Sequence, residues 1–140
     1  RNRLAAEAKS IVLQAQVHYS GELYADPELL GTALHNLVEN AVRYSPEKTR
    51  VDLLVEREGD TLNISVTDQG AGIPEEEQAR IFERFYRVDA ARSRQTGGTG
   101  LGLSIVKHVM GQHGGQVSVQ SVPGQGSTFT LSLPIADTAV

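Results

Sequence analysis

Alternating apolar and polar residues predict several short β-strands in this chain of 140 residues. The alternation is clear from Ile11 to Val17, where every second side chain is apolar. Between two further strands, the Gly59-Asp60 pair is typical of a hairpin turn. The predicted strands cover residues 11–17, 50–56, 61–67, 116–121 and 127–133, with a short extended segment at 23–25.

A long helix is predicted from Asp26-Pro27 to about Tyr44, ending before Ser45-Pro46. Aspartate can cap the first free amides of a helix, and proline suits its first turn. Shorter helices are expected at 75–82 and 101–113, the second closed by two glycines. The apolar residues of the long helix that follow helical spacing, and are expected to face the core, are Leu30, Leu34, Leu37, Val38 and Ala41.

Helices and hairpin-linked strands together favour an α+β fold, a two-layer α/β sandwich. We expect a mixed, mostly antiparallel sheet with the helices on one face. The length suits a single core. Residues 10–135 are therefore predicted to form one domain, residues 1–9 the tail of a preceding helix or linker, and residues 136–140 a C-terminal tail.

Composition narrows the possible functions. The net charge of −4 argues against nucleic-acid binding, and the absence of cysteine excludes a disulfide or a cysteine-based zinc site. No apolar run approaches the roughly 20 residues of a membrane span. None of the four histidines has a spaced carboxylate or second ligand that would suggest zinc: they are His18, His35, His108 and His113.

The long helix also carries a polar stripe, in which Asn36, Asn40, Arg43 and Tyr44 lie at helical spacing with Glu39 at its edge. An amide oxygen from Asn40 suits Mg²⁺, which takes oxygen ligands and keeps several waters. Glu39 could orient a water or accept a proton. Arg43 could meet a phosphate and Tyr44 a purine. The alternative is an ordinary solvated helix face.

A second candidate segment, Asp68-Gln69-Gly70-Ala71-Gly72-Ile73, directly follows a strand. A carboxylate there can accept a hydrogen bond from the amine of adenine, and glycines let backbone approach a flat ligand. A calcium loop is excluded because Gly70 and Gly72 occupy positions that need oxygen ligands. An ordinary glycine turn remains the alternative.

A third segment, Gly97 to Leu103, is rich in glycine and leads into a helix, which presents free amides to an anion. It is neither a Walker loop nor a Rossmann fingerprint. Leu101 and Leu103 argue against a flexible linker. The two aromatics of Phe82-Glu83-Arg84-Phe85 are most simply interpreted as core packing.

Taken in order, these segments resemble the catalytic domain of histidine kinases. The N box corresponds to Asn36–Asn40, the G1 box to Asp68–Gly72, the F box to Phe82–Phe85 and the G2 box to Gly98–Gly102. The closing segment 124–129 also matches, so the resemblance spans residues 10–134. Within the family, residues 82–102 are particularly similar to phosphate-regulon sensor kinases.

The resemblance implies the Bergerat ATP-binding fold, with ATP and Mg²⁺ as cofactors. Asp68 would contact adenine and Asn40 would bind Mg²⁺. Glu39 would act with Asn40 in catalysis, either directly or through a water. Asn36 and Arg43 would lie near the phosphates and Tyr44 near the base or ribose. The residues expected around the adenine are Gly70, Gly72, Ile73, Leu103 and Thr128, and those on the phosphate side, beside a lid at 86–97, are Gly98, Thr99, Gly100, Leu101 and Gly102.

The implied reaction is transfer of the γ-phosphoryl group to a histidine on a separate dimerisation domain of the same full-length kinase, followed by signalling to a response regulator. No histidine of this chain has the sequence context of the phospho-acceptor. We therefore expect a monomeric cytoplasmic fragment of an inner-membrane protein, which binds ATP without phosphorylating itself. The alternatives are a gyrase- or chaperone-type ATPase of the same fold, or a non-catalytic nucleotide-binding module.

Overall fold

The computed structural model describes residues 10–19, 21, 23, 25–83 and 102–135. The two tails predicted at 1–9 and 136–140 lie outside these ranges. The strands are β1 (Val12–Val17), β2 (Arg50–Glu58), β3 (Thr61–Thr67), β4 (Gln116–Val122) and β5 (Gly126–Pro134). The helices are α1 (Pro27–Tyr44), α2 (Glu75–Gln78) and α3 (Gly102–Gln112).

The strands form one five-stranded sheet in the order β1-β2-β3-β5-β4. β1 and β2 are parallel, and the other three pairs are antiparallel, which confirms the predicted mixed, mostly antiparallel sheet. Alternate residues of the central strand β3 are buried, namely Leu62, Ile64 and Val66. These side chains share one core with the packed helices α1 and α3.

Helix α1 begins and ends where the sequence predicts. The Asp26 carboxylate accepts hydrogen bonds from the backbone N–H groups of Glu28 and Leu29, at 3.0 and 3.1 Å. At the other end, the Ser45 hydroxyl donates to the Ala41 carbonyl at 2.6 Å. Of the predicted core residues, two are fully buried and three pack partly against the core: first Leu37 and Ala41, then Leu30, Leu34 and Val38.

Two element predictions are wrong in detail. The helix expected at 75–82 ends at Gln78. Beyond it, Arg80 N–H bonds the Glu77 carbonyl and Glu83 N–H the Arg80 carbonyl, so the chain continues as tight turns. At the segment expected to be extended, Leu23 and Ala25 belong to no strand. Leu23 packs against the core instead of pairing with another strand.

A histidine joins the first and last long helices. His113, just after α3, accepts a hydrogen bond at Nε2 from the Asp26 N–H at 3.0 Å, and its Nδ1 lies 2.8 Å from the Val109 carbonyl. Nδ1 therefore carries the proton, since a carbonyl can only accept. The bond fixes the start of α1 to the end of α3. Within the described residues, no helix is long and apolar enough to cross a membrane.

Replacing Gly31 by alanine is expected to raise the free energy of unfolding by about 0.5–1 kcal/mol, because glycine in a helix costs that much relative to alanine. Gly31 lies exposed within α1, and an added Cβ meets no atom within 4 Å. Urea denaturation measures the change. Gly111→Ala in α3, where the space is equally open, is the matched control and should behave alike. A loss of stability in both variants would contradict the expectation.

Candidate functional site

The Asp68 carboxyl group is buried at the end of β3, with 7% of the residue exposed. Its Oδ1 atom accepts hydrogen bonds from the backbone N–H groups of Gly70 at 2.8 Å and Ser127 at 3.3 Å. Nothing in the described part of the chain donates to Oδ2. Burial raises the pKa of Asp68, and the two N–H groups of Gly70 and Ser127 oppose that rise. One oxygen is therefore held by the backbone, while the other remains an acceptor.

The glycines after Asp68 make close contacts with other backbone segments. A Cβ on Gly70 would lie 2.8 Å from the Tyr44 carbonyl oxygen at the end of α1. Gly72 has a φ of +79°, and a Cβ there would lie 2.4 Å from the Val122 carbonyl oxygen. Both glycines thus allow close packing within the protein. These contacts do not test the predicted place of the two glycines beside adenine, which stays a prediction.

Residues 68–74 form a loop that we call the G1 loop, and hydrogen bonds join it to β4 and the β4–β5 turn. Gly124 N–H donates to the Ala71 carbonyl at 2.6 Å. Ile73 N–H donates to the Ser121 hydroxyl at 2.7 Å. The Ile73 side chain packs partly against the core, as does that of Leu103 on α3. These bonds hold the loop beside the buried carboxylate.

Thr128 and Tyr44 both lie close to the residues that flank Asp68. Thr128 is on β5, where its hydroxyl is 3.0 Å from that of Thr67, the residue before Asp68. Tyr44 is half-buried, and its carbonyl oxygen is the one that would lie 2.8 Å from a Cβ on Gly70. The structure therefore brings Tyr44, Thr128 and the segment after Asp68 into one region.

The polar stripe of α1 lies near the start of α3. Asn36 and Asn40 are half-buried, and their side chains make no hydrogen bond to any described residue. A Cβ on Gly102 would lie 3.9 Å from the Asn36 side chain, so the first residue of α3 adjoins this stripe. The other predicted phosphate-side residues, 98–101, and the predicted lid, 86–97, lie outside the described ranges.

Glu39 is paired at both carboxylate oxygens. Oε1 accepts from Arg43 Nη2 at 2.7 Å, and Oε2 lies 2.9 Å from His35 Nε2. The expectation that no histidine has a spaced carboxylate is therefore wrong for His35, although the i, i+4 spacing is visible in the sequence. The three side chains are about one-quarter to one-third exposed. Among the described residues, no group of three acidic or histidine side chains could hold a metal alone.

Phe82 packs edge-on against Phe129, with ring centroids 6.1 Å apart and planes at 84°. This confirms the core-packing interpretation for Phe82, whereas Arg84 and Phe85 lie outside the described ranges. Sequence reasoning missed three polar residues around Asp68, namely Ser121, Ser127 and Gln78. No local pattern distinguishes them, because the bonds that connect them to the segment after Asp68 include partners 43 to 59 positions away along the chain.

The sheet thus carries a buried carboxylate at a strand end, and the helix packed on it carries two half-buried asparagines whose side chains bond no described residue. Residues 25–137 match the family model described as histidine kinase-, DNA gyrase B- and HSP90-like ATPase. The chain therefore belongs to this family of ATPases.

Among sequence relatives, the chain is 49% identical over 134 residues to the sensor-like histidine kinase SenX3 of Mycolicibacterium smegmatis, covering 96% of this chain and 35% of that protein. The phosphate regulon sensor protein PhoR of Pseudomonas aeruginosa is 44% identical over 110 residues, covering 79% of this chain and 25% of that protein. The predicted similarity to phosphate-regulon sensors is thus confirmed, with a higher identity to SenX3. The chain therefore spans about a third of the length of SenX3 and about a quarter of the length of PhoR.

Solved structures of histidine kinases have the same fold as this chain. The mycobacterial sensor histidine kinase MprB superimposes with a TM-score of 0.83 at 32% identity, covering 97% of this chain and 91% of that one. Full-length ShkA in complex with AMPPNP gives a TM-score of 0.83 at 33% identity, covering 99% of this chain and 29% of that one. The chain is a histidine kinase ATPase domain, homologous to the sensor kinases of two-component systems.

Proposed function

We propose that this domain binds Mg-ATP and presents the γ-phosphoryl group to a histidine on a separate dimerisation domain of the same full-length kinase. The observation that carries the proposal is the Asp68 carboxyl group, which is buried and which the described residues hold at one oxygen only. The second oxygen can accept a hydrogen bond from the exocyclic amine of adenine. A base with a carbonyl oxygen at that position would be repelled.

The adenine pocket would be completed by the residues gathered around Asp68. Tyr44 would lie at the base or ribose, and Gly70 and Gly72 would border the ring through backbone atoms that do not face Tyr44 or Val122. Apolar cover behind the base would come from Ile73 and Leu103, with Thr128 adding a hydroxyl. Full-length ShkA, which shares this fold, was solved in complex with AMPPNP, and this supports nucleotide binding by the domain.

The phosphates and the magnesium ion would lie along α1 and the start of α3. Asn40 offers an amide oxygen that no described residue uses, and Mg²⁺ needs few protein ligands when phosphates and waters supply the rest. The residues therefore fit an ion that arrives with ATP. Asn36, Arg43 and Gly102 would meet phosphate oxygens, together with Gly98, Thr99, Gly100 and Leu101.

Glu39 would act mainly through Arg43. Because His35 and Arg43 occupy both of its oxygens, it can orient a metal-bound water only after releasing one of them. While paired, it holds the Arg43 guanidinium on the stripe that carries Asn36 and Asn40. Phosphoryl transfer depends mostly on such positioning and charge stabilisation.

In the reaction, the bond from the γ-phosphorus to the bridging oxygen of ADP breaks as a bond to the acceptor imidazole nitrogen forms. The acceptor would come from the dimerisation domain, and a response regulator would receive the group afterwards. That SenX3 and PhoR are named as sensor kinases and are much longer than this chain supports those partners. By itself the chain would be a monomer, the cytoplasmic portion of a membrane-bound kinase.

Calorimetric titration with ATP, with and without Mg²⁺, tests the proposal. We expect saturable binding that Mg²⁺ strengthens, and loss of most of that strengthening in Asn40→Ala, a drop of about tenfold for each 1.4 kcal/mol of lost ligation. Thr32→Ala, at an exposed position of the same helix, is the matched control and should bind like the wild type. Well-folded wild-type protein that binds no ATP would refute the proposal.

Transfer is tested separately by adding the dimerisation domain of a related sensor kinase and labelled ATP. Label on the histidine of that domain supports the kinase function. Binding without transfer favours the non-catalytic module, and release of phosphate without an acceptor favours a gyrase- or chaperone-type ATPase.

A further inference from the structure

We infer that Ser121 and Gln78 are positioning residues that set the adenine selectivity of Asp68 without touching the nucleotide. The inference rests on the proposed function and adds to it two residues from outside the predicted site. Both are half-buried. Ser121 is on β4 and Gln78 ends α2, so they connect the G1 loop to elements that carry none of the predicted ligands.

The Ser121 hydroxyl is hydrogen-bonded to three groups of the protein. It accepts from Ile73 N–H at 2.7 Å, donates to the Gly126 carbonyl at 3.0 Å and lies 2.8 Å from the Ser127 hydroxyl. A hydroxyl has one proton and two acceptor lone pairs. With its proton on Gly126, Ser121 must accept from Ser127, and all of its bonding capacity is then used.

This arrangement reaches Asp68 through Ser127. The Ser127 N–H donates to Asp68 Oδ1 at 3.3 Å, and the Asp68 N–H donates to the Ser127 carbonyl at 2.9 Å. Ser127 is buried, and its hydroxyl is held by Ser121. Moving Ser127 therefore moves one of the two donors that orient the carboxylate, and with it the free oxygen Oδ2.

Gln78 binds the backbone of both Ile73 and Ser121, the residues that join the G1 loop to β4. Its Nε2 donates to the Ile73 carbonyl at 3.0 Å and to the Ser121 carbonyl at 3.1 Å. The G1 loop is thus bound at Ile73 through both backbone groups: the N–H by Ser121 and the carbonyl by Gln78. Since Gly70 N–H is the second donor to Asp68, a displaced loop would also disturb the carboxylate.

The experiment compares ATP with inosine triphosphate, which carries a carbonyl oxygen where ATP has its amine. Calorimetry on the whole chain gives both dissociation constants for the wild type, Ser121→Ala, Gln78→Met and Ser121→Thr. Ser118→Ala, an exposed serine on the same strand, is the matched control. Thermal melting checks that each variant is folded at the titration temperature.

We expect Ser121→Ala and Gln78→Met to weaken ATP binding about five- to tenfold while changing inosine triphosphate binding less than twofold. A merely structural role would weaken both nucleotides alike. Ser121→Thr keeps the hydroxyl and should restore the preference for ATP, and Ser118→Ala should leave it unchanged. If Ser121→Ala fails to fold, Gln78→Met and Ser121→Thr decide the matter.

Wild-type protein that prefers ATP, together with folded variants that keep the same preference, would overturn this inference and leave the proposed function intact. Wild-type protein that binds no ATP would instead overturn the proposed function and this inference together. A wild type that binds both nucleotides equally would overturn the role of Asp68 and hence that of its positioning residues.

Discussion

Replacing Asp68 with asparagine is expected to weaken ATP binding by about 10- to 100-fold, since a hydrogen bond to a charged group contributes about 1.5–3 kcal/mol. The asparagine oxygen can still accept from Gly70 and Ser127, so the local backbone is retained. The amide nitrogen then replaces Oδ2 and sets a donor against the donor amine of adenine. Calorimetry measures the loss.

The same variant is expected to be more stable than the wild type at neutral pH. Burial raises the pKa of Asp68 in the folded chain, so the folded state binds the proton more tightly than the unfolded state does. The stability from that proton is complete below the unfolded pKa of about 3.9 and is lost as the pH rises through the higher folded pKa. An asparagine side chain does not ionise in this pH range, so the variant does not lose this stability.

Urea denaturation between pH 4 and pH 8 should therefore show the advantage of Asp68→Asn growing with pH and then levelling off. Asp60→Asn is the matched control, because the Asp60 side chain is almost fully exposed and should affect neither ATP binding nor this pH dependence. A variant with unchanged ATP affinity would remove the carboxylate from the proposed site. An unchanged stability difference across the pH range would contradict the effect of burial.

Replacing Gly72 with alanine is expected to lower the free energy of unfolding by about 2–4 kcal/mol, the sum of left-handed backbone strain and overpacking. The φ of +79° disfavours a side chain, and the added Cβ would lie 2.4 Å from the Val122 carbonyl oxygen and 2.8 Å from Pro123 Cα. Backbone atoms cannot yield as the tip of a side chain can. ATP affinity should fall as well, because the G1 loop must shift.

Urea denaturation measures the stability of Gly72→Ala, and Gly31→Ala provides the contrast, with the same chemical change and the opposite expected sign. If Gly72→Ala were as stable as the wild type, the close contact between the G1 loop and the β4–β5 turn would not exist in solution.

The sequence predicts those features that depend on neighbouring residues. Asp26-Pro27 locates the start of α1, and Gly59-Asp60 locates the hairpin between β2 and β3, because caps and turns are local. The length of α2 was overestimated, since the turns after Gln78 allow Phe82 to reach Phe129, a contact that no local pattern encodes. The strand order also depends on distant pairings.

In the candidate site, too, some residues can be predicted from the sequence and others cannot. Asp68 and the asparagines of α1 stand out by residue type and spacing, so the sequence identifies them. Ser121 and Gln78 do not, because a serine within a strand and a glutamine at the end of a short helix are common on protein surfaces. The tight contacts of Gly70 and Gly72 could not be predicted either, since Tyr44 and Val122 are distant along the chain.

The central pairing of β3 with β5 has a consequence for the order of folding. Thr67 and Thr128, the last pair before Asp68 and Ser127, are 61 positions apart along the chain. The hairpins β2–β3 and β4–β5 each close over only a few residues, whereas the β3–β5 pairing must first overcome the entropy of closing a long loop. Asp68 obtains its Ser127 donor only when that loop closes. During refolding, the Ser127–Asp68 hydrogen bond is therefore expected to form in a late, long-range step, even though both hairpins can already be present.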